Sequence, residues 1–279
     1  MVNKLQVQEN FGKYAVSYDR YAVIQKEMAG ELLEVIGRTG RYFGNILEIG
    51  CGTGFLTELL AVKYPKAQIT ATDIAPEMIT VAREKLANFP NIKYFTADGE
   101  NLSSQEHIRN RRQFDLIVSN AVFQWFSDYQ GTFSQFHSYL EYNGYLIFST
   151  LGSGTFKELY VCLKEGQVDI IPGKQAKQES AKKEPFIENK HLEKIMISTG
   201  FENIGLEETT KQEYFKSCRD FLKSLKMIGA HNYLSDELSA KGLGSGIFSL
   251  IKNYDSRFSG VKGIPATYQC LYGWGLRTT

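Results

Sequence analysis

Asn45-Ile-Leu-Glu-Ile-Gly-Cys-Gly-Thr-Gly-Phe55 decides the fold. A short apolar run enters three glycines at alternate positions, and the helix-length segment FLTELLAVKY follows at once. Glycines at such a strand-to-helix turn let the backbone approach a ligand closely and leave N–H groups free at a helix start. The spacing differs from the GxGxxG of dinucleotide sites, because the third glycine is Gly54 and Phe55 stands where that pattern would have it.

Outward from this turn the chain alternates apolar runs with helical segments. QITATD, PEMITVAREKLANF, NIKYFTAD, Phe114–Asn120, a helix near Tyr129 to Leu140 and Gly144–Thr150 complete five strands of a parallel, right-handed α/β sheet. Pro76 suits the first turn of its helix, and Pro65 and Pro90 act as stops beyond the flanking helices. Asp73 ends the second strand, 19 residues after Gly54, where a carboxylate can accept both hydroxyls of a ribose. Asp98, in Ala97-Asp98-Gly99-Glu100, and Asn120 end the third and fourth. One carboxylate alone reads as a helix cap; an ordered series at successive strand ends marks the crevice where such sheets bind ligands.

Composition narrows the rest. Of 279 residues, 32 are basic and 31 acidic, so the net charge is +1 and no broad field for nucleic acid exists. The four cysteines, Cys51, Cys162, Cys218 and Cys270, are too scattered for zinc or redox pairs, no metal site is expected, and a reducing compartment fits. No stretch approaches a membrane span and the start lacks a signal peptide's apolar core, so a soluble, cytoplasmic protein is expected. Residues 1–40 read as a helical arm and 41–151 as the ligand-binding core of a single domain, with lid or substrate insertions at 152–187 and 209–265. The first insertion holds the basic run PGKQAKQESAKKEP.

These residues resemble the class I S-adenosylmethionine-dependent methyltransferases over roughly Asn45 to Thr150. The resemblance implies a Rossmann-like, seven-stranded, mostly parallel sheet with its last strand antiparallel and helical lid insertions. It also implies S-adenosyl-L-methionine as cofactor. On that likeness Glu48, Gly50, Cys51, Gly52 and Gly54 border the methionine moiety, with Gln25 from the arm beside them. Asp73 holds the ribose, Ile74 and Met78 pack near adenine, Asp98, Gly99 and Glu100 meet its amino edge, and Asn120 lies by the sulfonium. Glu48 stands where the family commonly has Asp.

Segments outside that core carry a narrower likeness. Phe11-x-x-Tyr14-x-x-x-Tyr18-Asp19-x-Tyr21-x-x-x-Gln25, Ser119 to Trp125, Phe148 to Leu159, Leu225-Lys-Met-Ile-Gly-Ala230 and Thr267-Tyr268 with Leu271-Tyr-Gly273 resemble the malonyl-acyl-carrier-protein O-methyltransferase family of biotin synthesis. That resemblance implies methylation of the free carboxylate of malonyl-acyl carrier protein, or of malonyl-CoA, early in pimeloyl synthesis. Neither nucleic acid nor membrane is implied as a partner. The acidic carrier would be steered by Lys174, Lys177, Lys182, Lys183 and Lys190, or by Arg109, Arg111 and Arg112.

A carboxylate is already ionised at neutral pH, so alignment and desolvation suffice without a general base. Four isolated histidines and no GxSxG elbow agree with that. Tyr18 is the first choice for a residue over the reacting methyl, with Gln124 and Trp125 as the facing wall. Two alternatives stay open at this point: methylation of another small carboxylic acid or a quinone-type molecule, and a non-catalytic binder of the same cofactor.

Overall fold

The computed structural model describes residues 3–109, 113–165, 186–230 and 245–278. Two helices form the arm: α1 (Lys4–Tyr21), capped by the Asn3 side chain on the Gln6 N–H, and α2 (Val23–Arg38). The core then runs β1 (Asn45–Ile49), α3 (Phe55–Lys63), β2 (Gln68–Asp73), α4 (Pro76–Lys85), β3 (Ile92–Thr96), the short α5 (Glu106–Arg109), β4 (Phe114–Asn120), α6 (Tyr129–Tyr139) and β5 (Leu140–Leu151). After it come α7 (Lys157–Glu165), α8 (Asn189–Ser198), β6 (Phe201–Phe215), α9 (Cys218–Met227), α10 (Ser245–Phe258) and β7 (Ile264–Arg277).

The sheet has seven strands in the order β3-β2-β1-β4-β5-β7-β6. The first five are parallel, and β7 runs antiparallel to both of its neighbours. The order reverses between β1 and β4, and a parallel sheet opens its ligand crevice at such a switch, above the carboxyl ends of the strands. Side chains alternate across β1, so Ile46 joins the core beneath the arm while Leu47 and Ile49 join the one under α6 and α8. Both faces of the sheet are covered, as parallel strands require.

Asp98 lies two residues past β3 rather than at its end. The helix expected over PEMITVAREKLANF closes at Lys85, where the Leu86 N–H bonds back to the Ala82 carbonyl. The excursion expected from 209 begins later, because β6 runs on to Phe215 and pairs with β7 as far as Ile264. Its inward positions there include Lys211, bonded to Glu27 at 3.0 Å and Glu31 at 2.6 Å on α2. An edge strand whose covered face is ionic lacks the apolar alternation that marks a strand in sequence. Lys174, Lys177, Lys182, Lys183, Arg111 and Arg112 lie outside the described residues, as does the side chain of Arg109. Among the described residues no helix is long and apolar enough to cross a membrane.

Candidate active site

The glycine turn between β1 and α3 holds all three glycines at positive φ: Gly50 at 70°, Gly52 at 54° and Gly54 at 86°. A Cβ on Gly50 would lie 2.3 Å from Val122 Cγ2, and one on Gly54 would meet Leu86 Cδ1 at 2.9 Å. Gly52 differs, since a Cβ there would find nothing within 4 Å. Two glycines thus make room for protein and the middle one faces open space, a cradle for a ligand.

Asp73 braces that cradle from β2. Its carboxylate accepts the Gly52 N–H and the Ala75 N–H, both at 2.9 Å. Burial pushes its carboxyl up to about 6, although the N–H groups of Ala75, Gly52 and Ile74 oppose the rise. Glu48 lies deeper, 1 % exposed, with Oε2 unpartnered and its carboxyl raised by burial to about 8, against the easing effect of the Thr57 hydroxyl. Cys51 is buried and its thiol is pushed well up by desolvation, which leaves it inert.

The arm closes over the turn. The Thr53 hydroxyl, between the second and third glycines, donates to Asp19 on α1 at 2.7 Å. Lys26 and Lys85 lie 3.6 and 3.4 Å from the same carboxylate. Partial burial would raise the Asp19 carboxyl, but the Thr53 hydroxyl and the two ammonium groups hold it below the usual range. At the other end of α1, Lys4 reaches Glu100 at 2.5 Å and Asp98 at 3.2 Å. Glu100 also accepts the N–H groups of Ser127 and Asp128, both at 2.7 Å. Gly99 sits where a Cβ would press Ile49 at 2.6 Å, and Met78 is buried against Ala15 of α1. Ile74 is only partly buried against the main core.

Beyond β4 the Asn120 amide donates to the Gln25 backbone carbonyl at 3.0 Å, while the Ser149 hydroxyl donates to Asn120 Oδ1 at 2.6 Å. It is the main chain of Gln25 that takes part in this link. Gln124 donates to the Ala121 carbonyl at 2.7 Å and accepts the Thr150 hydroxyl at 3.1 Å. Trp125 packs edge-on against Phe11 with ring centroids 5.4 Å apart.

Tyr18, Gln25, Gln124 and Trp125 line one small cavity together with Phe156 and Tyr268. Ala121 and Phe156, two of its walls, hold φ at 56° and 58°, a left-handed backbone that a side chain tolerates only where packing imposes it. Burial raises the Tyr18 phenol first, with Asp73 and Asp19 adding to it, so the hydroxyl stays protonated and remains a donor. Tyr268, 2 % exposed, is raised by burial and next by Glu213, whose own carboxyl burial lifts to about 7.

The cavity therefore joins residues expected at the site to Tyr268 on β7, which the sequence marks only as part of a family motif and not as a site residue. Asp19, Thr53 and Lys4 were missed as well. The Tyr18-Asp19 pair was in view, but nothing in a sequence tells which distant hydroxyl an exposed-looking aspartate will meet.

Residues 47–146 match the family model described as a methyltransferase domain. The chain is 37% identical over 277 residues to a malonyl-[acyl-carrier protein] O-methyltransferase of Bacillus anthracis, covering 98% of this chain and 97% of that one. It is 34% identical to the protein of that name from Acetivibrio thermocellus, covering 98% and 93%. Among solved structures, a methyltransferase-like protein of Bacillus halodurans superposes with a TM-score of 0.58 at 14% identity, over 90% of this chain and 99% of that one. Phosphoethanolamine N-methyltransferase 2 of Haemonchus contortus, in complex with S-adenosyl-L-methionine, gives 0.51 at 17% identity over 90% and 53%.

Proposed function

The chain belongs to the malonyl-[acyl-carrier protein] O-methyltransferase family, an S-adenosylmethionine-dependent methyltransferase, and from that premise we propose that it methylates the free carboxylate of a malonyl thioester carried on acyl carrier protein. The observation that carries the reading is the cavity between Tyr18 and Tyr268: it abuts the β4 end of the cofactor crevice and is walled by rings, aliphatic chains, phenols and amides.

The residues present fit the donor. The open space at Gly52 and the buried carboxylate of Asp73 beside it offer a close backbone approach and an acceptor for sugar hydroxyls. Ile74 would face the adenine ring. Asp98, Gly99 and Glu100, held by Lys4, would lie at its amino edge, with Asn120 near the amino-acid end. Bound S-adenosylmethionine supplies a methyl group on a sulfonium, which a carboxylate oxygen takes while the sulfur keeps the bonding pair and no proton moves.

The chain's own residues then have two tasks. The Tyr18 hydroxyl, raised and protonated, offers the carboxylate a neutral donor, while Tyr268, whose own hydroxyl bonds Glu213, supplies ring surface to the same cavity. The apolar walls, among them Phe156 and Trp125, exclude water. Transfer from a cation to an anion cancels both charges, so a dry site with a neutral donor favours the transition state over the solvated ions. Gln124, tied to Ala121 and Thr150, fixes the facing wall.

The test is transfer of labelled methyl to malonyl-acyl carrier protein. Wild-type protein forms the methyl ester, and Tyr18→Phe lowers kcat about tenfold, the worth of one hydrogen bond, while binding S-adenosylhomocysteine as before. Failure to methylate malonyl-acyl carrier protein overturns the substrate. Unchanged turnover in the variant removes the phenol from the mechanism.

A further inference from the structure

We infer that the outer face of α9 is the docking surface for the carrier protein, through a basic stripe of Lys216, Arg219, Lys223 and Lys226. This rests on the substrate reading above. Arg219, Lys223 and Lys226 are spaced four and three apart, which places them on one side of the helix, and Lys216 extends the row just before the Ser217 cap. All four are exposed. Among the described residues none of them makes an ion pair, whereas Lys4, Lys26, Lys85 and Lys211 all do. The nearest acid in sequence, Asp220, accepts the Ser217 hydroxyl at 2.8 Å.

The near-neutral balance of 32 basic and 31 acidic residues does not call for such a row. Nor does folding need it, because the opposite side of the same helix supplies the packing through Cys218, Phe221 and Leu225. Leu225, with Ile228 and Ala230 just beyond, lines the cavity. A partner seated on the cations would thus lie about one helix diameter, roughly 10 Å, from the place where its acyl group must go. Four exposed cations in a row, without an ion pair among the described residues, suit a protein presenting acidic side chains, held by long-range attraction rather than by an apolar anchor. A thioester arm entering beside α9 would reach the cavity from that seat.

The stripe makes a prediction that a merely solubilising surface would not. The triple variant R219Q/K223Q/K226Q, neutral and friendly to helix, is compared with wild type on malonyl-acyl carrier protein and on malonyl-pantetheine, which lacks both the carrier and the phosphates of coenzyme A. Expected is a rise of about tenfold in KM for the carrier substrate, with kcat/KM for malonyl-pantetheine unchanged. Reversal with R219E/K223E/K226E should enlarge the first effect without creating the second. Equal losses on both substrates, or no loss on either, would overturn the docking surface while leaving the activity intact. Wild-type protein inactive on both would overturn the substrate reading, and the surface with it.

Discussion

The two halves of the site are built by opposite means. On the side of β1 and β2 the groups proposed to face the cofactor are largely main chain: glycines at positive φ, open space at Gly52 and N–H groups gathered by Asp73. On the side of the arm and β7 they are side chains brought from far apart in sequence, Tyr18, Gln124 and Tyr268, around a cavity of rings. A backbone site tolerates little change, since every atom is already in place by the time the strands pair. A side-chain site can be retuned residue by residue, which suits recognition of one acceptor over another.

Substitutions should break the first half far more readily than the second. Gly50→Ala combines a φ of 70° with a contact of 2.3 Å to Val122, and should cost about 2–4 kcal/mol of stability together with loss of cofactor uptake. Thermal denaturation and calorimetry read the two effects. Gly52→Ala sharpens the contrast: with nothing within 4 Å, it should cost only about 1 kcal/mol of folding yet fill the cradle and weaken S-adenosylhomocysteine binding more than about tenfold. A Gly52→Ala protein that binds normally would empty the cradle of meaning.

Asp19→Asn tests the bridge between the halves. It keeps the shape but removes the charge shared by Thr53, Lys26 and Lys85, with an expected loss near 1 kcal/mol after allowance for partial exposure. Faster release of S-adenosylhomocysteine, measured by stopped flow, would show that the arm is held shut by this bond. An unaltered release rate would show that Met78 and Phe11 packing holds it instead.

Acidity separates the halves in a different way. Glu48 and Asp73 have folded-state carboxyls raised by burial to about 8 and about 6, so each stabilises the fold in its neutral form. That contribution is complete below the unfolded value and drains away as pH rises through the folded one. Glu48→Gln removes the drain, so the melting-temperature gap between variant and wild type should widen from about pH 5 to about pH 8. A constant gap would mean that Glu48 is ionised in the fold. Arg38→Ala ends the series: its two bonds to Glu207 join half-exposed groups, and the loss should stay under about 0.5 kcal/mol in denaturant melts.

Much of the backbone half was legible in sequence because its parts are contiguous. An apolar run, three alternate glycines and acidic strand ends are local patterns, and β4 falls at Phe114–Asn120 as read. The side-chain half resisted for a physical reason. Asp19 and Thr53 are 34 residues apart and share no period, and Tyr268 becomes a cavity wall only once β7 has entered the sheet. The outer end of β6 escaped because Lys211 and its carboxylates occupy the place where apolar residues would announce a strand. On α9 the basic spacing is local, but in sequence it has the same pattern as any solvated helix face.

The strand order has a bearing on how the molecule is made. β7 sits between β5 and β6, so β6 leaves the ribosome with no neighbour to pair with and must wait for residues 264–277. During that interval β5 also presents an open edge, the kind of surface to which other nascent chains adhere. Synthesis and assembly of this sheet therefore cannot proceed in step.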